Sequence, residues 1–398
     1  MKTILRIIFR FSGILSAIMW LGLSSCTNED QILEPETPIG GNDLISIKVA
    51  NGPTIDGIID ALWENSPKLQ FETVVPEPSG DVFRGYVGNI IPSVTLRSAF
   101  DADNIYFLAE WVDPTQSLLR EPWYFDPEEK LWKQEHGNFT FSSNGTITRG
   151  AFYEDKMAML WNVDNSVSGW NSATCYKSCH SGLPASDGST RHYTNFFTER
   201  IDMWHWKSVR GGTNGGFQFD DQYQDNSYPN GRKSDTGAGA YSDNVQTLNN
   251  GISDVKVPKY LIPSRTNYGW ILGSEVTDFT AVQITSVDVD GVLYYDGGSI
   301  DPNTDVAFQR DGASVGVKSI PGIIIKSYTE SRGDITCMSV YTGTGWILEY
   351  KRALKTNDTS KQDIDFSSLA DQYFGMAIFE NAQIAHSIKP NLLLKFKK

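Results

Sequence analysis

The chain has 398 residues, 48 acidic against 34 basic side chains, and a formal charge of -14. That balance argues against nucleic acid and anionic lipid headgroups as partners, because both would be repelled. With five His and four Cys in the whole chain, any metal or redox chemistry has few residues to draw on.

Lys2, Arg6 and Arg10 precede an apolar run over residues 11–23, which is too short to span a bilayer and has the layout of a secretory signal. Leu23-Ser24-Ser25-Cys26 resembles a bacterial lipobox, which makes residues 1–25 a lipoprotein signal peptide and Cys26 the lipidated first residue of the mature chain. Residues 26–43 are acidic and poor in apolar side chains, the composition of a disordered tether. The expected location is the periplasmic face or the outer-membrane surface of a Gram-negative bacterium.

Residues 44–398 read as one domain. A short helix is predicted at residues 60–65. Strands are predicted at 94–100 and 105–111, joined by the turn Asp101-Ala102-Asp103-Asn104, where Asp101 and Asp103 serve turn chemistry rather than a calcium ion. Further strands are predicted at 156–163, 279–289, 323–328, 336–341, 346–353, 373–381 and 392–397, with one more short helix at 369–372. Many short strands and 35 glycines describe an all-β protein, an antiparallel β-sandwich with long loop insertions. The insertion spans about 211–270. Its first part, rich in Gly, Asn, Asp and Ser, is expected to drape as a loop without a core of its own, and Pro258 and Pro263 block regular structure beyond it.

Cys175-Tyr176-Lys177-Ser178-Cys179-His180 reads as a haem-attachment signature of the CxxCH type, although three residues separate its thiols where that signature has two. Two nearby thiols can each bond a vinyl group of one porphyrin, and the adjacent His180 can reach its iron. The other readings are a disulfide, a thioredoxin-like pair and half of a zinc site. A zinc site needs four ligands, and Cys337 has no Cys or His near it in sequence. Cys337 itself sits in a strand-like run and reads as a small buried hydrophobe.

Asp56-Gly57-Ile58-Ile59-Asp60-Ala61-Leu62-Trp63, the segment closing on Glu110-Trp111-Val112-Asp113-Pro114-Thr115, Asp155-Lys156-Met157-Ala158-Met159-Leu160-Trp161-Asn162 and Asp202-Met203-Trp204-His205-Trp206-Lys207 together resemble the haem-binding domain of ethylbenzene dehydrogenase gamma subunits and related cytochrome subunits of the DMSO reductase family. The resemblance implies a sandwich related to DOMON domains and family 9 carbohydrate-binding modules. It also implies a c-type branch in which covalent haem c is held by Cys175 and Cys179. In b-type members the iron is held by a methionine before the Trp-x-Trp segment and by a Lys or His near the C-terminus. His180 and His386 fall at those places and are the implied iron ligands, with His205 and Met159 (beside Met157) as alternatives to His386. Trp204, Trp206 and Tyr193 are either haem-pocket walls or sandwich core. Lys207 and Arg210 either neutralise haem propionates or face water, while His136 and His192 are expected in solvent.

No Ser-His-Asp set, Walker loop or dinucleotide fingerprint accompanies these residues. The expected role is therefore electron transfer between redox partner proteins rather than catalysis. The competing roles are a ligand- or carbohydrate-binding module using Trp123, Tyr124 and Trp132 as exposed aromatics, and a haem subunit of a molybdenum oxidoreductase.

Overall fold

The computed structural model describes residues 41–76, 91–142, 147–179, 192–213, 216–228, 230–239, 241–310 and 318–398, all within the unit Pro38–Lys398. The signal peptide, Cys26, most of the tether and His180 lie outside the described residues.

Twelve strands form one sheet: β1 (Asp43–Lys48), β2 (Leu69–Phe71), β3 (Val94–Phe100), β4 (Asn104–Val112), β5 (Lys156–Asn162), β6 (Ile201–Lys207), β7 (Asp220–Gln224), β8 (Arg232–Ser234), β9 (Thr336–Tyr341), β10 (Gly345–Ala353), β11 (Gln372–Phe379) and β12 (Ser387–Lys397). Their order is β8-β7-β6-β5-β11-β12-β1-β3-β4-β10-β9, with β2 also paired to β3. The pairings are antiparallel except at β1, which runs parallel to both β12 and β3.

The sheet folds over on itself to make the sandwich. Strand alternation sends Phe107 and Trp111 of β4, and Trp204 and Trp206 of β6, into one core. Although far apart in strand order, these rings meet, Phe107 on Trp204 at 5.8 Å and Trp111 on Trp206 at 5.6 Å between centroids, both edge to face. Such pairs add about 0.5–1.5 kcal/mol each beyond the area they bury. The folded sheet is stitched where Phe219 N–H donates to the Ile335 carbonyl and Cys337 N–H to that of Phe217. The other face of β4 is also covered: Tyr106 and Leu108 pack with Trp63, which stands on the short helix Ala61–Asn65 expected from the sequence. Asp101 accepts the N–H groups of Asp103 and Asn104 and the Tyr106 hydroxyl, the turn role expected of it.

Three expectations change. Residues 211–270 are not a draped loop. They supply β7 and β8 to the main sheet, a strand Tyr241–Asp243 that pairs with Ile323–Ile325, and the hairpin Gln246–Asn249 with Asp254–Val257. Val257 and Leu261 join Ile284, Leu293 and Phe308 in a second core. Trp123 and Trp132 belong to that core, where their indole N–H groups donate to the carbonyls of Asn244 and Gly291. They are buried, so they cannot serve as exposed binding aromatics. Finally, residues 369–372 do not form a helix; Leu369 has φ 52 and β11 begins at Gln372.

Candidate functional site

Along β5, β6 and β11 the side chains that turn away from the sandwich core line a cavity of about 300 Å³. Strand β5 contributes Lys156, Ala158 and Leu160, β6 contributes Met203, His205 and Lys207, and β11 contributes Gly375, Ala377 and Phe379. The turn before β12 adds Gln383, Ile384 and His386. Cys175 and Cys179 line the same cavity. Its size lies at the small end of the range for sites that bind organic ligands.

Trp170–Ala173 and Thr174–Lys177 are short helical turns; Cys175 lies in the second and Cys179 two residues beyond its end, and both line the cavity. Thr174 holds the unusual φ of 39, a strained region for a β-branched residue, and is fixed there by the Asn391 N–H, which donates to its hydroxyl at 3.0 Å. A side chain at Gly375 would meet Thr174 Oγ1 at 3.3 Å and Cys175 Cβ at 3.5 Å, so the segment sits close on β11. Both thiols are free. Burial pushes Cys175 up to about 12 and also raises Cys179. Thiols so raised stay protonated at neutral pH, unlike the activated pair of a thioredoxin-type site.

Two of the sequence's candidate histidines come together here. His205 is buried and neither ring nitrogen has a hydrogen-bond partner. Burial, then the charges of Lys207 and Lys156, holds it well below the usual histidine range, so it is neutral. His386 Nδ1 lies 2.6 Å from the Ile384 carbonyl. A carbonyl only accepts, so Nδ1 carries the proton and Nε2 the lone pair of the neutral ring. The Phe379 ring lies between them, 5.8 Å from His205 and 4.4 Å from His386 by centroids.

The lining is cationic in an acidic protein. Lys156, Lys207, Arg210 and Arg232 all reach the cavity, and no Asp or Glu is among its described lining residues. Lys207 pairs with Asp220, and Arg210 with Glu154, behind the wall. Both cations are buried, so neither faces water as one expectation had it. Lys156 has no such partner among the described residues: its Nζ donates to the Gln383 carbonyl at 2.8 Å and sits 4.1 Å from the centre of the Phe379 ring. Burial, then the Arg210 charge, holds Lys156 well below the usual lysine range. Arg232 is exposed. The surplus of positive charge suits an anionic ligand.

Other candidates lie elsewhere. Trp204 and Trp206 are fully buried in the sandwich core, on the face of β6 opposite the cavity. Met157 and Met159 also face that core, where Met159 Sδ accepts the Tyr350 hydroxyl at 3.0 Å. Cys337 is a core residue, as expected. Tyr193 packs edge to face on Tyr228. His136 is exposed as expected, but His192 lines the cavity. Sequence reasoning missed Lys156, Met203 and Arg232. The available signal was Lys156 at the head of the otherwise apolar run Lys156-Met157-Ala158-Met159-Leu160.

Among solved structures, the chain is similar to a family 9 carbohydrate-binding module from Caldicellulosiruptor kristjanssonii in complex with glucose, at 10% identity over 89% of this chain and 95% of that one, with a TM-score of 0.27. The same organism's module in complex with cellotriose gives 11%, 89%, 93% and 0.26. A protein from Bacteroides uniformis ATCC 8492 gives 8%, 90%, 100% and 0.28. No curated protein matches the sequence. A family model described as ethylbenzene dehydrogenase matches residues 60–390, and the chain belongs to that family.

Proposed function

We propose that this chain is an exported, lipid-anchored c-type cytochrome that passes electrons between redox partner proteins. The observation that carries the reading is the opening of Cys175 and Cys179 into one cavity with His205 and His386. Such a haem supplies a one-electron iron couple.

The residues present fit that group. Cys175 and Cys179 would hold it through their sulfurs, both lining the cavity with three residues between them. His180, beside the second thiol in sequence, and His386 would hold its iron. The Ile384 carbonyl orients His386, the usual task of an outer partner to a metal-binding imidazole. Arg232 would face one carboxylate with positive charge, and Lys156, held low by burial, could take up a proton beside the other. Ala158, Leu160, Ala377 and Phe379 supply apolar walls that keep water from the ring. The lipid on Cys26 would tether the domain to a membrane. The dehydrogenase in the family's name is not transferred with the fold, because chemistry belongs to sites rather than folds.

Haem staining of a denaturing gel tests the reading, using protein exported from a host with the cytochrome c maturation system. Stain that survives denaturation and disappears in Cys175→Ser is expected. Colourless wild-type protein would sink the proposal.

A further inference from the structure

On the opposite face of β6 and β7 from the cavity, carboxylates from distant parts of the chain converge. Asp221 of β7, Asp235 just after β8 and Asp363 of the segment before β11 each offer an oxygen, and these oxygens lie within 4.8 Å of one another. All three residues are buried, at 0%, 3% and 6% exposure. Two oxygens bound to one calcium ion at about 2.4 Å each are at most about 5 Å apart, so the spacing suits a single ion.

The orphaned oxygens are independent evidence for a ligand. Among the described residues neither Asp235 oxygen has a hydrogen-bond partner, and Asp221 Oδ2 and Asp363 Oδ1 have none either. Asp202 of β6 stands outside the triad and is fully buried. Its Oδ2 accepts from Arg352, Trp204 Nε1 and the Ile364 N–H, while its Oδ1 has no partner. Asp202 is also the strongest like-charge neighbour of both Asp221 and Asp235. One guanidinium, Arg352, serves the group, 2.8 Å from Asp202 and 4.0 Å from Asp221. A single cation cannot offset four buried carboxylates, and unpaired buried charge is among the most costly features a fold can carry.

We propose that Asp221, Asp235 and Asp363 bind a divalent cation of the hard, oxygen-seeking class, calcium, which staples β7, the end of β8 and the segment before β11 and offsets the repulsion from the neighbouring Asp202. The set holds no thiol or imidazole, which disfavours zinc and copper. Magnesium keeps several waters in a strict octahedron, whereas calcium takes six to eight oxygens in flexible geometry and tolerates a dry carboxylate cage. Asp334 and Thr236, the residue after Asp235, line an adjoining open pocket of about 500 Å³ that gives the ion a route from solvent.

The test uses the full mature chain passed through calcium-free buffer, with metal content by elemental analysis and thermal unfolding in EGTA, calcium or magnesium. One retained calcium per chain is expected, with a Tm lowered by about 5 °C in EGTA and restored by calcium but not by magnesium. Asp235→Asn is expected to weaken calcium binding at least tenfold, while its Tm in EGTA equals or exceeds that of the wild type because a repelling charge is gone. Asp101→Asn, in the turn before β4, should keep the full calcium response. A wild-type Tm indifferent to millimolar calcium, with no ion retained, would overturn the proposal. So would a calcium response that Asp235→Asn leaves intact.

Discussion

Asp202 and His205 share strand β6 and face opposite ways: the Asp202 carboxylate meets Arg352 at 2.8 Å on the core side, and the His205 imidazole lines the cavity. All seven side chains of this strand are buried. The position of His205 is therefore set by packing on both faces of the sheet. Arg352 also lies 4.9 Å from the centre of the Trp204 ring, so the charge pair and the aromatic core are one assembly. Removing either member of a buried pair costs about 3–5 kcal/mol, because the other is left unpaired.

The two cavity histidines make different spectroscopic predictions. If His386 holds the iron of the proposed haem, His386→Ala converts a low-spin absorption spectrum to a high-spin one, and His205→Ala leaves it low-spin. The reverse pattern would assign the iron to His205, whose nitrogens have no other partner. Oxidised and reduced spectra of both variants decide the matter.

The strands that sequence reasoning found, such as β4, β5, β10 and β11, are runs in which apolar and β-favouring residues dominate. Strand β6 was not among them, because the charged Asp202 and Lys207 break its apolar pattern and only tertiary partners explain their burial. Strand β7, Asp220-Asp221-Gln222-Tyr223-Gln224, reads as loop for the same reason. The thiol pair was legible because its chemistry is local. The convergence of Lys156, Lys207, Arg210 and Arg232 was not, nor was that of Asp221, Asp235 and Asp363, because each joins segments far apart in the chain.

Trp204 separates a structural from a cofactor role. Trp204→Ala should cost about 3–5 kcal/mol by denaturant unfolding, from the cavity it opens beneath Phe107 and Arg352. The gentler Trp204→Phe should leave the position of the haem absorption band unchanged, because the side chain faces away from the cavity. A shifted band in Trp204→Phe would mean that the ring reaches the cofactor.

Arg232 is the cavity cation nearest to solvent. If the cavity holds the proposed haem, a positive charge near it favours its reduced state, so Arg232→Gln should lower the midpoint potential, on the order of tens of millivolts. Potentiometric titration at low and high salt checks this. The difference between wild type and variant should shrink at high salt, because Arg232 is exposed and screened.

Asp113 and Asp155 form a second charged problem in the core, with a consequence for pH. Both are buried, and Asp155 accepts from Ser117 N–H, Asn381 N–H and Trp346 Nε1. Burial, then repulsion, raises the two carboxyls: Asp113, near Glu380, to about 7, and Asp155, near Asp113, to about 8. An unfolded Asp titrates near about 3.9. Between these values the folded state holds protons that the unfolded state has released, so stability is greatest at low pH and falls as pH rises through the folded values. Across pH 5 to 9 the loss should be several kcal/mol, about 1.4 kcal/mol per pH unit for each group until its folded value is passed. Asp113→Asn removes the repulsion and lets Asp155 ionise with its three donors in place, so the variant should lose less stability over the same range. Urea unfolding at pH 5, 7 and 9, with calcium present throughout, gives the comparison. Equal slopes in wild type and Asp113→Asn would show that the pair does not titrate together.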